Sequence, residues 1–391
     1  MLRGPLAPVL HRETTWVYCY VMDGTNRIGK DGMSGNGDDR AVLRDLAHEV
    51  AEIAALPRQQ QTISLWKALN GLEPARPMVL IDQIPWHEMD VDGELELRTE
   101  DPFFQDLETR LRKQLYLWRH MPADMVVDPV IEVGKVITGD GFGIERIEET
   151  AVTDPNSNVV GHLYLDQLRD EEDVDKIRTP SVTLDVETTN RAQDRANDLF
   201  DGILSVKMQG AMPGFRAWDL ITMWRGGENV LWDLAARPPH MHRILARFTE
   251  AQMSQLDQLE ELGLLGSAQS LIHCSGAHTD ELPARGFDTG HPGARDLWTS
   301  GMAQIFSSVS PAMHDEFAIQ YAIGWYARFG LGYYGCCEPL HEKIDLIRKL
   351  PNIRKISMSP WVDVEIGASQ IGSDFVFSRK PNPAFVAGTS W

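Results

Sequence analysis

No apolar run in this 391-residue chain approaches the roughly 20 residues that a membrane-spanning helix needs. The N-terminus also lacks a charged stretch followed by an apolar one and a cleavage site, so the sequence leads to the expectation of a cytoplasmic protein. Positive charge is scarce: 37 Lys and Arg stand against 57 Asp and Glu, a formal charge of −20. Nucleic acid and anionic membrane surfaces need a basic face to displace counterions, so neither is expected as a partner. Cysteine is scarcer still, with only Cys19, Cys274, Cys336 and Cys337. That excludes a disulfide scaffold; a few thiols in a long chain are more often buried, catalytic or metal-binding. Finally, no GxGxxG or GKS/GKT loop follows any strand-like segment, which removes the main argument for a nucleotide-binding doubly wound sheet.

What is present is ordinary in bulk, 43% hydrophobic and 24% charged, and enough to bury a large core. The informative segment is LGYYGCCEPLHEKIDLIRKLPNIRKISMSP, Leu331–Pro360. Its first six residues are apolar and aromatic, and Glu338-Pro339 ends them. Ile344, Leu346, Ile347 and Leu350 then recur at helical spacing, before a second strand pattern at Lys355–Met358. This is a βα unit with two thiols and a carboxylate at the carboxyl end of its first strand. Ligands of open α/β sheets and of (β/α)8 barrels bind at that end, so Cys336, Cys337 and Glu338 are site candidates.

Asp23–Arg40 is rich in Gly, Asp and Asn without periodicity and reads as a loop, making 1–40 an N-terminal arm or flexible extension and 41–391 the folded unit. Its acidic residues do not alternate as a calcium loop requires. Helices are predicted from Arg40 to the stop at Pro57, over Ile63–Leu69 and over Leu107–Arg119. Further ones are predicted over Leu165–Pro180, Ala217–Met223, Val230–Leu234, Pro239–Leu262 and Met313–Phe329. Strands are predicted at Pro77–Asp82, within Asp124–Val133, and at Ile203–Lys207, Ala268–Cys274 and Phe375–Ser378. The first places Trp86, His87 and Glu88 just beyond its end; the third carries Lys207 at its end; the fourth ends in His273 and Cys274, with His278 and Asp280 in the loop that follows. The βα cadence of the last third favours a (β/α)8 barrel.

From about Arg40 to Ala387 the chain resembles the uroporphyrinogen decarboxylase superfamily, in its methyltransferase-like branch of corrinoid-dependent methyl metabolism. The stretches that carry the resemblance include RPMVLIDQIPWHEMD, LYLWRHMPADMVVDP, GHLYLDQLRDEEDVDKI and WDLITMWRGGENVLWDLAARP. HTDELP, DLWTSGMAQIFSSVSP, GYYGCCEPLHEKIDLIRKLPNIRKISMSPW and SRKPNPAF complete the set. The resemblance implies a single (β/α)8 barrel with its cleft at the strands' carboxyl ends. Zinc enzymes of that branch bind the metal through His-x-Cys at one strand end and a Cys from the last strand. GYYGCCE takes the place of the His-x-Cys strand, although Tyr334 or Gly335 stands where the family has His. The chain stops soon after KPNP, so the last barrel strand is expected to be missing, and the arginine-rich RQAGRY-type segment of the true decarboxylases is absent.

On this reading Cys336, Cys337 and Glu338, with His273 or Cys274, are the expected zinc ligands. Asp280, His87, Glu88 and His278 are the candidate acids and bases. Trp86, Trp298 and Gln304 would shape a cleft for a flat substrate, and Arg225 and Lys207 would hold an anionic group. The expected function is a metal-dependent methyltransferase, active in O-demethylation. It would move a methyl group between a small methylated compound, such as a methoxylated aromatic, and a corrinoid protein or thiol acceptor, with the metal as Lewis acid. The alternatives are a decarboxylase or lyase acting on an aromatic or tetrapyrrole acid, and a non-catalytic ligand-binding homologue. The expected partners are the small-molecule substrate, the corrinoid protein and a second copy in a homodimer.

Overall fold

A computed structural model describes residues 37–152, 160–267 and 269–384. The expected arm lies, up to residue 36, outside the described residues, as do Cys19, Ala268 and the end of the KPNPAF stretch. Helix Gly37–Ala54 begins where that arm was expected to continue. Leu43, Ala47, Val50 and Ile53 recur along one face of it and are buried. They pack with Phe104, Leu107 and Leu111 of helix Pro102–His120 and with Ala196 and Leu199 of helix Val186–Phe200. The second of these helices starts sharply: the Asp101 carboxylate accepts from the Phe103 and Phe104 N–H groups, and Pro102 needs no donor. A cap of that kind is worth about 1 kcal/mol.

Six strands pair in parallel. β1 (Val130–Gly134) lies beside β2 (Ser205–Gln209), in register from Val130 opposite Ser205 to Gly134 opposite Gln209. β3 (Trp298–Gly301), β4 (Leu331–Tyr334), β5 (Ile353–Met358) and β6 (Val376–Arg379) form a second ladder in chain order. The chain beyond β2 adds parallel bridges from Ala211 to Leu265 and from Phe215 to Gly301, linking the two ladders. β3 and β4 are buried at every position, as parallel strands covered on both faces must be. Met241, Ile244, Leu245 and Phe248 of helix Pro238–Glu261 share a core with Tyr334 of β4, and Trp218, Phe306, Phe317 and Trp325 join it. Each such side chain contributes about 1.5–3 kcal/mol. The architecture is thus mixed α/β with parallel sheet segments. Among the described residues the ladder does not close into a barrel, and no helix is long and apolar enough to cross a membrane.

Several sequence expectations are corrected. Pro77–Asp82 joins no ladder, and Val79 and Ile81 are 55% and 37% exposed. The segment is held by Asp124 instead, whose carboxylate accepts from the Val79 N–H (2.8 Å) and whose own N–H donates to the Val79 carbonyl (2.9 Å). An apolar run becomes a strand only where a neighbour offers backbone partners. In Leu165–Pro180 only Glu171–Lys176 is helical, as one short 3-10 segment, because too few of its residues are buried to anchor a longer helix. The third expected strand is shifted two residues along, so Lys207 sits in the middle of β2 and not at its end.

The largest correction concerns Ala268–Cys274. Leu271–Ile272 pairs antiparallel with Ser275–Gly276, and His273 and Cys274 form the tight turn between them, His273 in the left-handed region at φ 50°. This hairpin is seated by helix Pro57–Asn70. Asn70 donates to the carbonyls of Gly276 (3.1 Å) and His278 (2.7 Å). Gly276 lies so close to the Trp66 ring that a Cβ there would fall 2.5 Å from it. On the other side the fully buried Lys355 of β5 donates to Ser275 Oγ (2.8 Å) and to the Gly276 carbonyl.

Candidate functional site

β3 to β6 run in the same direction, so the residues just past Gly301, Tyr334, Met358 and Arg379 meet at one edge. Gly335 turns the chain after β4 at φ 95°, and a Cβ there would come within 2.4 Å of Leu340. The turn is clamped by Glu338, which is fully buried. Its Oε2 accepts from the Cys336 N–H (2.9 Å) and its Oε1 from the Ala303 N–H beyond β3 (3.0 Å). The clamp leaves Cys336 buried and Cys337 exposed, with their Sγ atoms 3.5 Å apart.

Lys380, the first residue past β6, completes this edge. Its Nζ donates to the Cys336 carbonyl (3.1 Å) and to Ser357 Oγ (2.6 Å), and lies 5.9 Å from the centre of the Tyr333 ring. Burial pulls its pKa down, but the negative charge that Tyr333, Cys336, Cys274 and Cys337 carry when ionised outweighs burial and raises it, so it stays an ammonium. The two thiols divide in response. The hydrogen bond from Cys336 holds the Cys337 thiol down at about 7, with Lys380 assisting against burial. The same bond, together with burial, pushes Cys336 up. Solvent exposure makes Cys337, and not the buried Cys336, the sulfur that more readily becomes thiolate. The hairpin turn closes over this group: the His273 ring stands edge-on to Tyr333 at 5.1 Å, and Gln83 donates to Cys274 Sγ at 3.0 Å.

A cavity of about 540 Å³ opens beside the hairpin turn, at His273. Ile81, Ile84, Trp86, Met212 and Leu271 make an apolar wall, and Arg216, Gln209, Ser300 and His273 make the polar one. Behind Arg216 lies Asp219, 3.9 Å from it, with Gln304 donating to its Oδ1 at 3.4 Å. Burial raises the Asp219 pKa and Arg216 only partly offsets this, which favours the protonated acid. Only when ionised would Asp219 raise the Cys337 pKa, so the protonation of this acid behind the cavity's polar wall bears on the thiols.

The expected residues fall into three groups. Cys336, Cys337, Glu338, His273 and Cys274 converge at the carboxyl edge, Trp86 lines the cavity and Gln304 supports Asp219. His278 and Trp298 lie instead in a smaller hollow of about 220 Å³ with Lys67 and Asp128, where Trp298 starts β3 and donates to the Ala277 carbonyl (2.9 Å). The rest serve other ends. Asp280 pairs with Lys67 at the surface (2.6 Å), and His87 pairs with Glu88 on the short helix Trp86–Met89 (3.3 Å). Lys207 pairs with Glu132 across β1 and β2 (3.1 Å) and also meets the Ser267 carbonyl. Arg225, expected to hold an anionic ligand, is buried between Asp166 and Asp233, which neutralise it in the core.

Sequence reasoning missed Lys380, Tyr333, Arg216 and Asp219 as site residues. Lys380 had a usable signal, its place directly after a predicted strand; Arg216 and Asp219 follow an irregular link and had none. Around the expected zinc ligands both Glu338 oxygens accept from backbone N–H groups, and the Lys380 ammonium bonds the Cys336 carbonyl. Among the described residues no group of three or more His, Cys, Asp or Glu is arranged to hold a metal. No protein-family model, curated protein or solved structure matches the chain, so the reading of this site rests on its own residues.

Proposed function

We propose that this is a (β/α)8 enzyme of the uroporphyrinogen decarboxylase-like kind that transfers a methyl group. It would take the methyl from a small methylated compound, such as a methoxylated aromatic, and pass it to a thiol or to a corrinoid carried by a partner protein. Parallel-only pairing of β1 to β6, burial on both faces of β3 and β4, and reactive groups at the carboxyl edge support the barrel. The observation that carries the chemistry is Cys337, an exposed thiol with a lowered pKa, backed by a buried thiol donor and a fixed ammonium. The apolar wall of the cavity suits a flat ring, and Asp219 supplies an acid beside it.

In this reading the Cys337 thiolate attacks the methyl carbon. The carbon–sulfur bond forms as the carbon–oxygen bond breaks, and the oxygen takes the Asp219 proton. Transfer of the methyl to the acceptor returns the bonding pair to sulfur and restores the thiolate. The test is incubation with a panel of methoxylated aromatics, with and without a reduced corrinoid, followed by mass analysis of the Cys337 peptide. The reading expects a methyl on Cys337 and free phenol; phenol released equally by Cys337→Ala sinks it. Metal analysis of the wild type beside Cys336→Ser decides the zinc expectation, since one equivalent of zinc lost in the variant would move the chemistry from the free thiolate to a metal.

Arg216 on the cavity wall, with Asp219 buried behind it, favours one other reading, a decarboxylase that binds an aromatic or tetrapyrrole acid through the arginine. Release of carbon dioxide from such an acid, unchanged in Cys337→Ala, would establish it. The absence of turnover in either assay would favour a protein that only binds its ligand.

A further inference from the structure

We propose that Cys336 and Cys337 are a dithiol modification site that reduces small disulfides and closes into a bond between the two adjacent cysteines. The two sulfurs already lie 3.5 Å apart, one exposed and one buried behind it. That is the division of labour that thiol–disulfide exchange needs: an accessible sulfur to attack, and a second, shielded from the reagent, to resolve the mixed disulfide. Lys380 is held beside the pair by Ser357 and by the Cys336 carbonyl, and not by a sulfur, so its charge stays in place whichever thiol is anionic. The exposure of Cys337 and the burial of Cys336 assign the roles in that order. The inference is independent of what Cys337 does to a methylated substrate.

The exchange balances without a metal or cofactor. The Cys337 thiolate attacks a small disulfide, forming one sulfur–sulfur bond and expelling one thiolate. That thiolate, or solvent, takes the Cys336 proton; Cys336 sulfur then attacks Cys337 sulfur and expels the second small thiolate. The protein loses two electrons and the small disulfide gains two. Neighbouring Cα atoms are about 3.8 Å apart across a trans peptide, below the about 4.4–6.8 Å that unstrained disulfides span. A bond forced into that span is readily reduced, so the site is reversible and suits a labile modification rather than a structural one. While closed, it removes the exposed thiolate from the carboxyl edge.

The reduced full-length chain is incubated with oxidised glutathione in the absence of oxygen, then analysed by intact mass and peptide mapping. The proposal expects loss of two hydrogens with no glutathione retained, a linkage confined to the Cys336–Cys337 peptide, and full recovery with dithiothreitol. Cys336→Ser should stop at a glutathione adduct on Cys337, and Cys337→Ser should leave Cys336 unreacted. A stable adduct on wild-type Cys337, a linkage from either residue to Cys19 or Cys274, or equal reaction of Cys336 in Cys337→Ser would each overturn it. The wild-type map alone decides the point if a variant fails to fold.

Discussion

The two hollows share Gln269 and Ser270 of the segment leading into the hairpin, yet they differ in what their polar groups do. In the smaller one the Trp298 N–H is satisfied by the Ala277 carbonyl, Lys67 is paired with Asp280, and the segment carrying His278 is tied to Asn70. The smaller one holds one shifted group, His278, lowered by burial, whereas behind the His273 and Arg216 that line the larger one stand three: Cys337 lowered, Asp219 raised and Lys380 raised against its burial. Paired groups hold a fold together, whereas groups poised between protonation states can react. The same contrast separates the two faces of a β/α barrel, where the carboxyl ends of strands carry chemistry and the amino ends carry stability.

The sharpest way to break this comparison is a pair of variants. Cys337→Ala should reduce methyl transfer to background, while His278→Ala should leave it within about twofold, as expected of a residue outside the reacting groups. Equal losses in turnover assays would erase the distinction between the hollows. Asp219→Asn comes next, with an expected loss of about 10²–10⁴-fold in kcat, the usual range for a general acid. An unchanged kcat would remove Asp219 from the mechanism.

Glu338→Gln tests a structural clamp within the reactive half. An amide cannot accept from both backbone N–H groups with two oxygens, so urea unfolding should show a loss of about 1–3 kcal/mol. The Cys337 alkylation rate should fall as well if the clamp sets the thiol geometry. Lys355, buried under the hairpin, has a pKa lowered by desolvation to about 7 from an ordinary 10.5. Between those values the unfolded chain binds a proton that the folded chain does not, so this group's contribution to stability rises with pH. The stability of the wild type relative to Lys355→Met should therefore increase from pH 7 to pH 10 in urea melts; a decrease would show that the lysine is held charged. The smallest effect is expected at Asp280→Ala, within about 0.5 kcal/mol, because its ion pair with Lys67 is solvent-screened.

The segment around Cys336 was the most legible part of the chain. Its strand, its turn at Glu338 and the following strand are where the hydrophobic pattern put them, although the helix between shrinks to Ile344–Ile347. The long helices were legible for the same reason: Pro238–Glu261 buries residues on one continuous face, and such a face is written in the sequence. Ala268–Cys274 was misread because four apolar residues look alike whether they pair with a distant parallel strand or fold back on themselves. The difference lies in His273 adopting a left-handed turn, for which its residue type gives little warning. The ion pairs of Arg225 and Lys207 were not legible, because a cation's partner is not visible until the chain brings Asp166, Asp233 and Glu132 to it.

The sequence by itself determined the alternation of strand and helix in the last third, the position of two thiols and a carboxylate past one strand, and the adjacency of Cys336 and Cys337. Those properties depend on residues close in the chain. Only the tertiary structure decided that Glu338 turns its carboxylate to the backbone, that Lys380, 44 positions beyond Cys336, brings its charge to the thiols, and that Asp219 faces Arg216 beside the cavity. Hydrogen bonds and ion pairs act over a few ångströms and take whichever donor or acceptor folding delivers, so the partners of a charged group are set by three-dimensional proximity.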